Sequence, residues 1–142
     1  MFIVDTNVLL AAVNRTDPRH QASVGWLDGA LSEGTTVGFP WSSLLGFIRL
    51  ATTPGVVPDP ISSDSAIGIA RSWLSVPNSI TPEPTPRHLD LVAGFLDQAG
   101  KAAALVPDAH LAALAIEYGG TVVSFGTDFS LWSVPWLRPR AA

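Results

Sequence analysis

The chain has 142 residues, of which 47% are hydrophobic and 14% charged, which excludes a disordered chain and suits one domain with a sizeable core. Twelve acidic residues against eight basic ones give a formal net charge of −4. This excludes a broad electrostatic grip on nucleic acid, but not a nuclease whose acids hold metal ions against the phosphate. The lack of cysteine excludes disulfides, thiolate metal sites and cysteine nucleophiles.

In chain order, Phe2, Ile3 and Val4 predict a short buried strand that ends at once on a carboxylate, Asp5. A buried strand has little use for a charge unless it is paired or bound to metal. Asp5 therefore either caps the next helix or stands at the rim of a sheet to do chemistry. "TNVLLAAVN" has helical character. "RTDPRHQASVGWLDGALSEG" predicts a second helix, with Ala22, Trp26, Leu27 and Ala30 on one face and Gly34 as its stop. "TTVGFP" suits a strand ending at Pro40, and "WSSLLGFIRLAT" a helix with Ser42 or Ser43 near its start. The Pro-rich "TPGVVPDPIS" is a connector, too short to link domains.

"SSDSAIGIARSWLSVP" predicts a helix capped near Ser63 or Asp64 and stopped by Pro77. The segment from Asn78 begins extended and becomes helical after Pro86. "LVPDAHLAALAIEYGG" is a helix opened by Pro107-Asp108 and closed by Gly119-Gly120. "TVVSF" is the clearest strand, and the tail is loop plus one short final strand. No segment is apolar for long enough to cross a bilayer. With no basic leader and Asp5 interrupting the first apolar run, no signal peptide is expected, and a cytoplasmic location fits.

Strands alternating with helices predict an α/β domain over residues 1–142 with a mostly parallel sheet, whose sites form beyond the carboxyl ends of strands. Asp5 follows the first strand, Asp128 lies just past "TVVSF", and Asp108 opens the helix leading into it. Converging carboxylates are what a hard divalent cation needs. Singly, Asp5 and Asp108 also fit helix caps, and Asp128 an Asx turn. Glu117 lies nine positions after Asp108, about half a turn round a helix, and is expected to face away into solvent. His20, His88 and His110 match no zinc spacing. There is no phosphate-binding glycine loop, no G-x-S-x-G elbow and no CxxC pair. The five tryptophans and six phenylalanines fit a core better than a base-stacking surface.

"MFIVDTNVLL" resembles the opening of PIN-domain proteins, and "LVPDAHLAALAIEYGGTVVSFGTDF" resembles the closing signature of that family. Between them, "FPWSSLLGFIRLAT" and "PTPRHLDLVAGFLDQAG" resemble the VapC-type toxins of bacterial type II toxin–antitoxin pairs. The resemblance implies a PIN-like fold with helices on both sides of the sheet. It implies an endoribonuclease using Mg2+ or Mn2+, with Asp5 and Asp108 as main metal ligands and Asp128 as the third catalytic acid. Thr6 or Asn7 would support the site, and Asp5 would cap its helix as a second role. A cognate antitoxin, an RNA substrate and a homodimer are implied as partners.

Two positions depart from the family pattern. Gly46 stands where many members carry a glutamate, and Gly126 where many carry an aspartate, leaving three acids where the fullest site has five. Weakened metal binding is the expected result, and a degenerate PIN domain that binds RNA or antitoxin without cutting is the competing expectation. Arg15, Arg19 and Arg49 are candidates for holding flanking phosphates, with Arg49 alternatively bridging to an acid, while Arg138 and Arg140 are expected to be solvated. From a different class, a metal-dependent phosphatase fits the same acids. A receiver domain does not, since Asp5 has no neighbouring acid and Lys101 is the only lysine.

Overall fold

The structure, a computed structural model, describes residues 1–141. Five short strands form one parallel sheet: β1 (Phe2–Val4), β2 (Val37–Gly38), β3 (Ser79–Ile80), β4 (Thr121–Val123) and β5 (Trp136–Leu137), in the order β3-β2-β1-β4-β5. Every pairing is parallel; Phe2, Ile3 and Val4 pair with Thr121, Val122 and Val123 on one side, and Phe2 and Ile3 with Val37 and Gly38 on the other. Six helices connect the strands: α1 (Thr6–Val13), α2 (His20–Ser32), α3 (Trp41–Ala51), α4 (Ser63–Leu74), α5 (His88–Ala99) and α6 (Val106–Tyr118).

Side-chain alternation along the strands splits the core in two. Val4, Val37 and Val123 face a cluster with Val8, Leu9, Leu27, Leu44, Phe47 and Trp73 from α1 to α4. Ile3 and Val122 face the other layer, where Ala109, Ala112 and Ala115 let α6 lie close to the sheet beside Phe129 and Trp132. The mostly parallel sheet expected from the sequence is therefore present, with a helical layer on each face.

The ends of elements shift for local reasons. The second helix begins at His20 rather than Arg15, because side chains hold Asn14–Arg19 as turns: Asn14 Oδ1 accepts from Thr16 N–H at 3.3 Å and Asp17 Oδ1 from Arg19 N–H at 2.8 Å. The cap of α4 is Ser62, which accepts from Ser65 N–H at 3.1 Å, one residue before the expected Ser63 or Asp64. Residues 128–131, expected as loop, make a short 3-10 turn.

Candidate active site

The strand order reverses between β1 and β4, since β2 and β3 lie outward on one side and β5 on the other. Such a switch point leaves a crevice beyond the carboxyl ends of the two strands. Asp5 leaves β1 there and Ser124 leaves β4 there.

Asp5 occupies the cap position of α1 with extended backbone, but its side chain makes no capping hydrogen bond to the helix. The expected capping role is not made; the carboxylate turns instead to the neighbouring strand, where Oδ2 accepts from Ser124 Oγ at 2.7 Å. Burial raises the Asp5 carboxyl above its ordinary value, opposed by the Ser124 bond and the nearby Thr6 N–H. Ser124 is fully buried. Its oxygen accepts from Asn7 Nδ2 at 3.1 Å and Gly126 N–H at 2.9 Å, so the hydroxyl proton is committed to Asp5. Asn7 completes the bracket by accepting from Phe125 N–H at 3.2 Å. Thr6 reaches away from this network, its Oγ1 3.4 Å from the Ser43 carbonyl, while Ser43 Oγ donates to the Val4 carbonyl at 2.6 Å.

Asp108 lies in the first turn of α6 and Asp128 opens the 3-10 turn after β4. Neither side chain accepts a backbone hydrogen bond among the described residues, so neither does the work of a cap or an Asx turn. The Asp108 carboxyl is pushed up to about 6, first by burial, then by the charges of Asp5 and Asp128 and by a hydrogen bond shared with Asp128. The structure thus brings all three acids into mutual range, where they repel one another and none is paired with a basic side chain among the described residues.

That donor set suits a hard divalent cation, because it is all oxygen and its charges need neutralising. Among the described residues no three His, Cys, Asp or Glu side chains form a ready-made metal cage. The fit is therefore to an ion bound through one or two carboxylates that keeps much of its water, the usual habit of Mg2+.

The other sequence candidates are distributed differently. Arg49 is exposed in the last turn of α3, and its guanidinium pairs with no acid among the described residues. Arg15 lies beyond α1 on the rim of a cavity formed with Val57, Asp59 and Ile61. Arg138 is exposed, as expected, and its Nη1 also donates to the Phe125 carbonyl at 3.0 Å. Glu117 is a correction, for its side chain is fully buried rather than solvated. Oε1 meets His88 Nδ1 at 2.6 Å and Oε2 accepts from Thr85 N–H at 2.8 Å. His88 Nε2 in turn meets His110 Nδ1 at 2.8 Å, which ties α5 to α6. Facing away from the acids did not mean facing water, because α5 covers that side of the helix.

Ser124 is the site residue that sequence reasoning passed over. Its signal is a small polar residue at the carboxyl end of an otherwise apolar strand.

At the gaps in the acidic pattern, a Cβ added to Gly126 would lie 3.2 Å from Ser124 Oγ and 4.0 Å from Asn7 Nδ2, inside the bracket that holds Asp5. A Cβ on Gly46 would lie 2.8 Å from Thr6 Oγ1.

The PIN domain family model matches residues 2–132. The chain is 48% identical over 142 residues to Ribonuclease VapC37 of Mycobacterium tuberculosis, covering 99% of each. It is 38% identical over 140 residues to Ribonuclease VapC33 of the same species, covering 98% of each. Among solved structures, VapBC2 from Rickettsia felis bound to a promoter DNA fragment matches with TM-score 0.69 at 14% identity, over 98% of each chain. FitAcB from Neisseria gonorrhoeae matches with TM-score 0.63 at 20% identity, over 96% of each. At those identities the structural likeness is one of fold.

Proposed function

This chain belongs to the PIN-domain family, and from that premise we propose that it is the toxin of a type II toxin–antitoxin pair, an endoribonuclease dependent on Mg2+ or Mn2+. The observation that carries the proposal is the convergence of Asp5, Asp108 and Asp128 at the switch point, with the Asp108 carboxyl driven up to about 6 by burial and by the other two. The relatives named as ribonucleases support RNA as substrate, and the VapBC and FitAcB assemblies among its structural neighbours support an antitoxin as partner. A homodimer and a cytoplasmic location complete the proposal; no helix among the described residues is long and apolar enough to cross a membrane.

Asp5 and Asp108 would hold the cation, with Asp128 directly or through water. Bound there, such an ion would supply Lewis acidity, making water a competent nucleophile near neutral pH and offsetting charge on the phosphate. The chain's part is positional. Ser124 fixes one oxygen of Asp5 and leaves the other for the ligand; Asn7 holds Ser124 and the Phe125 N–H in register. Asp128, the exposed member of the three, would be free to take a proton from water.

Incubating purified protein with total cellular RNA in Mg2+, Mn2+ or EDTA, beside Asp5→Asn, tests this. Metal-dependent cuts at defined positions that disappear in the variant are expected. Hydrolysis of a small phosphomonoester without RNA cleavage would instead favour a phosphatase.

A further inference from the structure

Beside the acids, the carboxyl edge carries a feature that the cleavage chemistry leaves unused. Phe125 follows Ser124 out of β4 and is only 6% exposed. Two guanidiniums lie over its ring, Arg19 at 4.9 Å from the centroid and Arg138 at 5.5 Å. They are not equivalent. Arg19 gives Nε and Nη2 to Asp17 at 3.0 and 2.9 Å, so its charge is largely answered. Arg138 spends one donor on the Phe125 carbonyl and pairs with no acid among the described residues.

From Arg138 an open groove follows the edge strand β5, lined by Trp26, Trp136, Leu137, Arg138, Pro139 and Arg140. Two arginines and no acid line it, in a chain whose net charge is −4. Both indoles are part-exposed and held in place: Trp26 packs edge-on against Phe2 at 5.3 Å, and Trp136 donates Nε1–H to the Ser124 carbonyl at 3.2 Å. The same Ser124 donates to Asp5, so one buried residue beneath the groove anchors both the Trp136 ring and a carboxylate of the acid centre.

A ligand that answers this lining is a flexible polyanion with flat faces. Guanidiniums fork phosphate oxygens, and fixed aromatic surfaces accept bases whatever their sequence. A duplex asks for a broader basic face than two arginines provide. We propose that this groove is the track along which single-stranded RNA lies beside the acid centre, with Arg138 and Arg140 on backbone phosphates and Trp26 and Trp136 offering faces to bases. The proposal rests on the ribonuclease reading, and it assigns the flanking phosphates to the carboxyl-terminal strand rather than to Arg15 or Arg49.

The test is fluorescence anisotropy of a 5′-labelled single-stranded RNA oligonucleotide with the full chain carrying Asp5→Asn in Mg2+, across a salt series. Arg138→Gln with Arg140→Gln is expected to weaken binding about tenfold and to flatten the slope of log Kd against log salt by about 1.4, or about 0.7 for each phosphate no longer neutralised. Arg138→Lys should keep the slope and lose part of the affinity. RNA should quench tryptophan fluorescence, and that quenching should diminish in Trp26→Leu. An unchanged melting temperature in the arginine variants separates weakened phosphate binding from a failure to fold.

Unchanged affinity and slope in the double variant would overturn the track, as would no RNA binding by the parent, or variants that lose only the cognate antitoxin. The two proposals fail separately. A chain that binds through these arginines but never cuts RNA loses the nuclease reading alone. A wild type that cuts, with binding indifferent to Arg138 and Arg140, loses the track alone.

Discussion

Ser124 decides what Asp5 is. Had Asp5 been a helix cap, its oxygens would accept from the N–H groups of Asn7 or Val8; its carboxylate turns instead to a fully buried hydroxyl on the adjacent strand, with the Thr6 N–H nearby. Replacing Ser124 with Ala leaves Asp5, Asn7 and the Gly126 N–H each short of a partner. The expected result is metal affinity weakened about ten- to a hundredfold, the usual effect of losing a group that orients a ligand, read by calorimetric titration with Mn2+. Asp108 makes a second prediction, through pH. Its folded carboxyl titrates at about 6, above its ordinary value of 3.8, so between those values the folded state binds a proton that the unfolded state has released. Stability from this group is therefore fully present below about 4 and is lost as pH rises through about 6. Asp108→Asn should melt higher than wild type in EDTA at pH 7.5, and the gap should close towards pH 4. His110, lowered mainly by burial, works in the opposite sense and is common to both proteins, so it cancels in the comparison. Adding Mg2+ should raise the wild-type melting temperature at pH 7.5 and leave the variant unmoved. A gap that widens on acidification would contradict the assignment.

Between elements, the glycines report how closely helices meet. Ala in place of Gly inside an exposed helix normally gains about 0.5–1 kcal/mol. At Gly46 the added Cβ meets Thr6 Oγ1 at 2.8 Å and Cγ2 at 3.2 Å, where α3 crosses α1. Gly46→Ala is accordingly expected to destabilise by about 1–2 kcal/mol, an overpacking cost, and Thr6→Ala in the same chain should recover most of it. Urea unfolding of the four proteins in that cycle measures the coupling. Gly126 is roomier, with Ser124 Oγ at 3.2 Å as the tightest neighbour, and its φ is not left-handed. Gly126→Asp is expected to fold and to raise cleavage if the site is merely short of carboxylates; a folded variant with no gain would count against that account. The Glu117–His88–His110 chain is the polar seam between α5 and α6. Glu117→Ala strands the Thr85 N–H and the His88 ring, and should cost about 2–3 kcal/mol of stability without altering metal affinity.

At the scale of the molecule, the sheet explains which parts of the sequence could be read. Alternating strand and helix patterns were enough to predict a mostly parallel α/β sheet, and a carboxylate directly after β1 pointed to the edge where the three acids meet. "TVVSF" was legible as a strand, but not the role of its serine, because that depends on β4 lying beside β1 across 119 residues of chain. Glu117 was misread for a similar reason: helical period says which residues share a face, not which other element covers the opposite one. Arg138 is exposed, as a residue near the chain end is expected to be, but its place beside Phe125 is visible only once β5 is seen to pair with β4. Charge shows the same limit. A net −4 describes the whole chain, while the groove beside β5 is lined by two arginines and no acid.

The measurement that bears most directly on this account is cleavage of total cellular RNA by the purified chain in Mg2+ and in EDTA, with Asp5→Asn and Asp108→Asn alongside. The account predicts discrete cuts that require the metal and vanish in both variants. Equal activity in wild type and variants, or none in any metal from a folded wild type, would contradict it.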